Sequence, residues 1–182
     1  MNVWHDVAKD RVTPDSFLAF IEISKGSKNK YELDKATGRL ILDRVLFTST
    51  HYPHNYGFIP LTYADDHDPL DVLVICSESI LPMSFVQCKP LGVMRMKDNG
   101  AEDEKIIAVP LHDPFYSSYE EIEELPDHIR DEIIHFFSVY KTLEGKTTFI
   151  QTFDGKETAK KIIRECLANY ERDILPTLNK SK

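Results

Sequence analysis

The sequence has 182 residues, a mass of 21.0 kDa, and 42% hydrophobic and 29% charged side chains, which suits a single domain spanning residues 1–182. Its 22 basic and 30 acidic residues leave a formal charge of −8 at pH 7. That balance excludes the broad basic footprint of a DNA- or RNA-binding protein and the basic amphipathic face of a membrane-surface protein, and 10% aromatics exclude a disordered chain.

In chain order, the first fifteen residues (MNVWHDVAKDRVTPD) carry charges where a secretory signal needs a continuous apolar stretch. No apolar run approaches the ~20 residues of a membrane span, so a cytoplasmic chain is expected. Residues 17–23 (FLAFIEI) read as a strand, and 30–34 and 39–46 as two more across the turn-rich segment 34–38. Strands are expected again at 71–76, 84–96 and 105–111, the last two separated by a polar loop at 97–100. Then the period changes. Pro126 suits the first turn of a helix that puts Ile129, Ile133, Phe136, Phe137 and Tyr140 on one face. A second helix over 156–173 aligns Ala159, Ile162, Ile163, Cys166, Leu167 and Tyr170. Strands first and amphipathic helices last argue for α+β, a curled sheet or small barrel covered by helices. The three cysteines form no C-x-x-C pair and suit reduced core thiols.

Charges interrupt the apolar pattern in two strands. Glu22 alternates with Leu18 and Phe20, and Arg44 with Leu40, Leu42 and Leu46, so each shares a face with apolar neighbours. Lys30 and Glu32 fall opposite Tyr31 and Leu33. A charge withdrawn from water costs several kcal/mol unless it finds a partner. The negative charge is also concentrated. Residues 65–124 hold 14 acidic and 4 basic side chains, net −10, while the rest is net +2. The dense part is Asp65-Asp66-His67-Asp68-Pro69-Leu70-Asp71, four aspartates in seven residues. Carboxylates this close repel one another unless protons or cations relieve them, and an all-oxygen set favours hard divalent ions. An EF-hand does not fit, because the glycine and the final glutamate are missing from their positions. Residues 98–105 carry a second acidic group, expected in a hairpin loop that could face the first across a two-metal site. Glu120, Glu121, Glu123 and Glu124 read as a solvated acidic turn.

Together these residues resemble the soluble inorganic pyrophosphatases of family I, in particular the bacterial type. Asp66-His67-Asp68-Pro69-Leu70-Asp71 is similar to the family's D-x-D-P-x-D signature. Further blocks follow in family order: Ile21-Glu22-Ile23, Lys30-Tyr31-Glu32, Asp43-Arg44, Tyr52-Pro53-His54-Asn55-Tyr56-Gly57, residues 98–105, His135-Phe136-Phe137 and Tyr140-Lys141. Two positions depart from the pattern: Asn99, where bacterial relatives commonly have Glu, and His67, where the family usually has a small residue such as Gly. His67 reads as a loop spacer or an extra ligand.

The resemblance implies a small closed, OB-like barrel of antiparallel strands flanked by two amphipathic helices. It also implies Mg²⁺-dependent hydrolysis of pyrophosphate to two phosphates, with Mn²⁺ or other divalent metals as substitutes. In that pattern Asp66, Asp71 and Asp103 are the main metal ligands, and Asp98, with Glu22 or Glu32, serves additional ions. Asp68 is the candidate general base or water-orienting group. Lys30, Arg44, Lys105 and Lys141 hold phosphate oxygens, and Tyr52, Tyr56 and Tyr140 add phenolic hydrogen bonds. Tyr140 also fits the apolar helix stripe, where periodicity alone makes it a core residue. By analogy with bacterial members the chain is a homo-oligomer, a hexamer. Two other functions compete: a metal-dependent phosphohydrolase acting on nucleotides or organic phosphates, and a non-catalytic Ca²⁺-binding module. The absence of a P-loop counts against the first, and the cations Lys30, Arg44 and Lys141 count against the second.

Overall fold

The structure is a computed structural model that describes residues 2–179. It contains strands β1 (Phe17–Ile23), β2 (Asn29–Asp34), β3 (Arg39–Val45), β4 (Asn55–Phe58), β5 (Asp71–Val74), β6 (Phe85–Asp98) and β7 (Ala101–Pro110). Helix α1 (Asp127–Val139), strand β8 (Thr148–Gly155) and helix α2 (Lys156–Asn169) follow. The six-stranded sheet has the order β1-β4-β5-β7-β6-β8, and β1 also pairs with β6. Five strands therefore close on themselves as a small OB-like barrel, with β8 added outside and β2–β3 forming a separate hairpin.

One pairing departs from the expected antiparallel barrel, since β5 and β7 run parallel. The reason is parity. A closed ring with an odd number of strands cannot alternate direction all the way round, so one neighbouring pair must match. Two strands, β4 and β8, are absent from the sequence-based expectation. Pro53, Asn55 and Gly57 make the first look like a turn, and β8 is an edge strand with no fully buried residue.

Both faces of the sheet are covered. Val72, Val74, Ile106 and Ala108 pack with Ala159, Ile162, Ile163 and Cys166 of α2. Their alternates Leu73, Ile75, Ile107 and Val109 pack with Ile133, Phe136, Phe137 and Tyr140 of α1. Each fully buried aliphatic or aromatic side chain contributes about 1.5–3 kcal/mol. All three cysteines are free and buried.

Several local readings change. The acidic residues Glu102, Asp103 and Glu104 lie in β7 rather than in a loop, because the β6–β7 hairpin turns on only two residues, Asn99 (φ 50°) and Gly100 (φ 87°). Two positive φ values are what a tight primed hairpin turn requires, which gives Asn99 a backbone reason to replace Glu. In the β2–β3 ladder Lys30 pairs with Arg44 but Tyr31 pairs with Leu42, so Asp43 is bulged out. The bulge turns Arg44 to the face of Lys30 and away from Leu42, where strict alternation had placed it. The second α-helix ends at Asn169 and continues as a π-helical turn, Tyr170–Ile174, before Pro176. Proline lacks the N–H for that turn and clashes with the carbonyl four residues back, so the helix widens just ahead of it. The run at 120–124 is more than a solvated turn: Glu121 and Glu124 form a capping box on the turn Ile122–Glu124, and Glu120 pairs with Lys89 and with Lys156 at 2.6 Å.

Asn55 fixes the start of β4. Its Oδ1 accepts from the Lys25 amide (3.0 Å) and the Ile80 amide (2.9 Å), and its Nδ2 donates to the Glu78 carbonyl (3.1 Å). Its neighbour His54 is buried with neither ring nitrogen hydrogen-bonded among the described residues, and burial together with the charge of Lys25 pulls its pKa down to about 4. Between pH 6.5 and 4 the unfolded chain therefore binds the proton that folded His54 refuses, so stability is lost as pH falls through that window. Replacing His54 by Phe should flatten the decline measured by denaturant titration across those pH values, removing up to about 3 kcal/mol of it.

Gly57 tests the closeness of the β1–β4 pair. A Cβ added there would sit 1.8 Å from the Phe20 carbonyl oxygen, a backbone atom that cannot step aside. Gly57→Ala should cost about 3 kcal/mol or more, read as a lowered thermal midpoint.

Candidate active site

The parallel β5–β7 ladder sets the site. Asp71 opens β5 and its Cα partner in β7 is Lys105; Asp103 lies two residues earlier on the same face. Lys105 is 3% exposed, and its Nζ donates to Asp71 Oδ2 (2.7 Å), Tyr56 Oη (2.9 Å) and Asp103 Oδ1 (3.0 Å). The Tyr56 hydroxyl, brought in from β4, donates to the same Asp71 oxygen. The ammonium also lies 5.3 Å from the Tyr56 ring centroid and 5.5 Å from that of Phe137. Burial alone would depress the lysine pKa, but the charges of Asp103 and Asp71 outweigh it and hold the group well above its ordinary value.

Asp66, Asp71 and Asp103 line one cleft of about 340 Å³, beside Asp65, Glu102 and Glu104. Burial and the neighbouring carboxylates raise the pKa of Asp66. Asp103 is raised too, mainly by burial and with Asp71 adding to it, while Lys105 opposes the shift. Glu22 stands behind Asp71. Its Oε1 accepts from the Leu33 amide (2.8 Å), and burial plus the Asp71 charge push its carboxyl up to about 8.

The loop that carries Asp66 and Asp68 is tightly turned, with Ala64 N–H on the Asp68 carbonyl (2.8 Å) and Asp68 N–H on Asp66 Oδ1 (3.1 Å). His67 sits at φ 70°, a conformation that glycine adopts at less cost, which accounts for the small residue usual there. Its ring bonds to Tyr63 Oη through Nδ1 at 2.8 Å, which fits a spacer held in place. Asp68 does not line the cleft; it is half-exposed and ion-paired with Lys35, whose Nζ also donates to the His67 carbonyl (3.3 Å).

The remaining cations form a second lobe. Lys30 pairs with Glu32 and lies 3.4 Å from Asp43; Arg44 pairs with Asp43 and, through Nε, lies 2.8 Å from Glu144. Lys141 pairs with Asp98 and lies 5.2 Å from the Tyr140 ring centroid. Tyr52 joins the lobes: its ring is 5.4 Å from that of Tyr56, and its hydroxyl feels Tyr140, Lys105, Asp71 and Arg44. Tyr140 combines the core role read from periodicity with the site role implied by the resemblance, its ring in the α1 core and its hydroxyl within electrostatic reach of Lys105, Asp98, Asp103 and Asp71. Sequence reasoning gave no part to Lys35 or Glu144, and Asp43 entered only within the Asp43-Arg44 block, without a role. For Glu144 the one available signal was its spacing of three from Lys141.

The donor set suits a hard divalent cation. All the carboxylates named are oxygen donors, two of them are disfavoured as anions by burial and by each other, and Asp98 Oδ1 is buried without a hydrogen bond among the described residues. They do not form a closed cage: among the described residues no three His, Cys, Asp or Glu side chains converge closely enough to hold an ion, and Lys105 bridges Asp71 and Asp103.

Comparison with known proteins bears on the family and the fold. The inorganic pyrophosphatase family model matches residues 19–171. Soluble inorganic pyrophosphatase 2 of Chlamydomonas reinhardtii is 46% identical over 173 residues, covering 95% of this chain and 90% of its own length. An inorganic pyrophosphatase structure from Helicobacter pylori superposes with TM-score 0.85 at 42% identity, covering 88% of this chain and 96% of that one. One from Thermus thermophilus superposes with TM-score 0.89 at 36% identity, covering 94% and 99%. The match runs through β1, the aspartate loop, β7 and both helices, and the chain belongs to the inorganic pyrophosphatase family.

Proposed function

We propose that the protein hydrolyses inorganic pyrophosphate to two phosphates with Mg²⁺ as the physiological cofactor, Mn²⁺ serving as a substitute. The observation that carries this reading is one site with two lobes, a carboxylate cleft (Asp66, Asp71, Asp103) beside a cationic group (Lys30, Arg44, Lys141), bridged by Tyr52, Tyr56 and Lys105. A Ca²⁺-binding module has no use for the second lobe.

Asp66, Asp71 and Asp103 would hold the metal, with Asp98, Glu22 and Glu32 available to further ions. An ion held by these residues would supply a water of lowered pKa and offset charge on the phosphoryl group. Lys105 bridges Asp71 and Asp103 and holds them in register before any ion arrives. Lys30, Arg44 and Lys141 are each neutralised by a carboxylate, so a polyanion can take over those contacts without a bare cation ever being buried. Tyr56 and Tyr52 are kept protonated by burial and so remain donors. Asp68 lies outside the cleft on the loop that carries Asp66, paired with Lys35; freed from that pair, it would accept the proton of the attacking water. A homo-oligomer, hexameric by analogy, is supported by large apolar side chains exposed on the single chain, Leu81, Phe115, Leu143 and Phe149 among them; light scattering on the purified protein decides it. A cytoplasmic location is supported by the three free cysteines.

Phosphate release should be seen from pyrophosphate with Mg²⁺, be lost with chelator, and be far weaker from ATP or p-nitrophenyl phosphate; equal rates on all three would defeat the assignment. Asp68→Asn should lower turnover roughly 10²- to 10⁴-fold in a folded protein, and near-normal hydrolysis would remove Asp68 from the base role. Asp71→Ala should weaken the Mg²⁺ dependence and the rate together, so an unchanged Mg²⁺ titration argues against ligation by Asp71.

A further inference from the structure

Glu144 lies in the 3-10 turn Thr142–Glu144 that follows Lys141, closed by Gly145 at φ 70°. Its amide donates to the Lys141 carbonyl at 3.0 Å. Its side chain is 8% exposed, and Oε1 is 2.8 Å from Arg44 Nε. A carboxylate so withdrawn from water needs a cation, and Arg44 supplies it. The guanidinium then has three differently engaged corners. Nε faces the enclosed Glu144, and Nη1 meets Asp43, which is more exposed and adjacent in the chain. Nε and Nη2 are both buried and neither makes a hydrogen bond among the described residues, so Nε is held by the ion pair with Glu144, while no ion pair reaches Nη2. An arginine held at its inner edge with one outer nitrogen unspent is arranged to receive an anion.

The geometry points to Glu144 as a positioning residue for substrate binding: it holds Arg44 by the Nε edge so that Nη2 is presented to a phosphate oxygen. This rests on the pyrophosphatase reading and extends it to a residue that acts through another. Lys141 and Glu144 are three apart on a turn whose i and i+3 positions eclipse, so one turn presents a phosphate-side lysine and seats a phosphate-side arginine. Asp43 is the exchangeable partner, released when the anion arrives, and Glu144 the permanent one.

The test uses the full chain as wild type, Glu144→Gln, Arg44→Met and the double variant. Pyrophosphate hydrolysis and product inhibition by phosphate are measured for each, with phosphate binding by calorimetry. Glu144→Gln should raise KM and the phosphate inhibition constant roughly tenfold while kcat stays within about twofold, because the lost contact is shared by ground and transition states. The double variant should be no worse than Arg44→Met alone. Unchanged KM and phosphate affinity in Glu144→Gln, or losses that add in the double variant, would reduce Glu144 to a structural tie and overturn the inference. Should Glu144→Gln not fold, Glu144→Asp, which keeps the charge but withdraws it from Nε and leaves Nη2 in place, carries the same comparison. A wild type that releases no phosphate from pyrophosphate sinks the functional reading instead, while the calorimetric comparison still decides the role of Glu144.

Discussion

Burying the ammonium of Lys105 is the constraint on which the site depends. A lysine with 3% exposure remains charged only if carboxylates are fixed around it, and the sheet fixes two. Asp71 faces Lys105 across a parallel ladder, and Asp103 precedes it by one full pleat on the same face. The parallel ladder is itself a product of closure, because a five-stranded ring needs a like-directed pair. The site thus occupies the one pairing that breaks the antiparallel rule, and its central charges stand on strands rather than on loops.

That placement separates two uses of the chain's negative charge. Part of the excess in residues 65–124 converges on the cleft, where carboxylates raise one another's pKa and a cation relieves them. Another part, around Glu120, Glu121 and Glu124, caps a turn and pairs with Lys89 and Lys156. A net-negative chain with an anionic substrate is consistent on the proposed reading, in which each divalent ion would cancel two charges where the substrate sits.

Much of this was readable from residue patterns. Strand β1 and both helix stripes follow from periodicity, and the aspartate loop from density of like charge. What resisted reading was set by tertiary geometry. Strand β4 looks like a turn because Gly57 is there to admit the Phe20 carbonyl, a neighbour distant in the chain. The face of Arg44 was misjudged because a bulge at Asp43 leaves no mark in the alternation of apolar residues. Lys35 and Glu144 stayed anonymous for a related reason: each acts through a partner from another element, Asp68 and Arg44, and neither belongs to a dense motif.

The amino-terminal segment adds one consequence of its own. Trp4 is buried, with Nε1 donating to the Thr62 carbonyl (3.0 Å), its own carbonyl accepting from Leu61, and Lys35 lying 5.5 Å from its ring centroid. It is the sole tryptophan of the sequence. The tryptophan emission of the protein therefore originates at a single site, in contact with the lysine that pairs with Asp68. Its emission is thus placed to report, without a label, on rearrangement of Lys35 and the loop it holds.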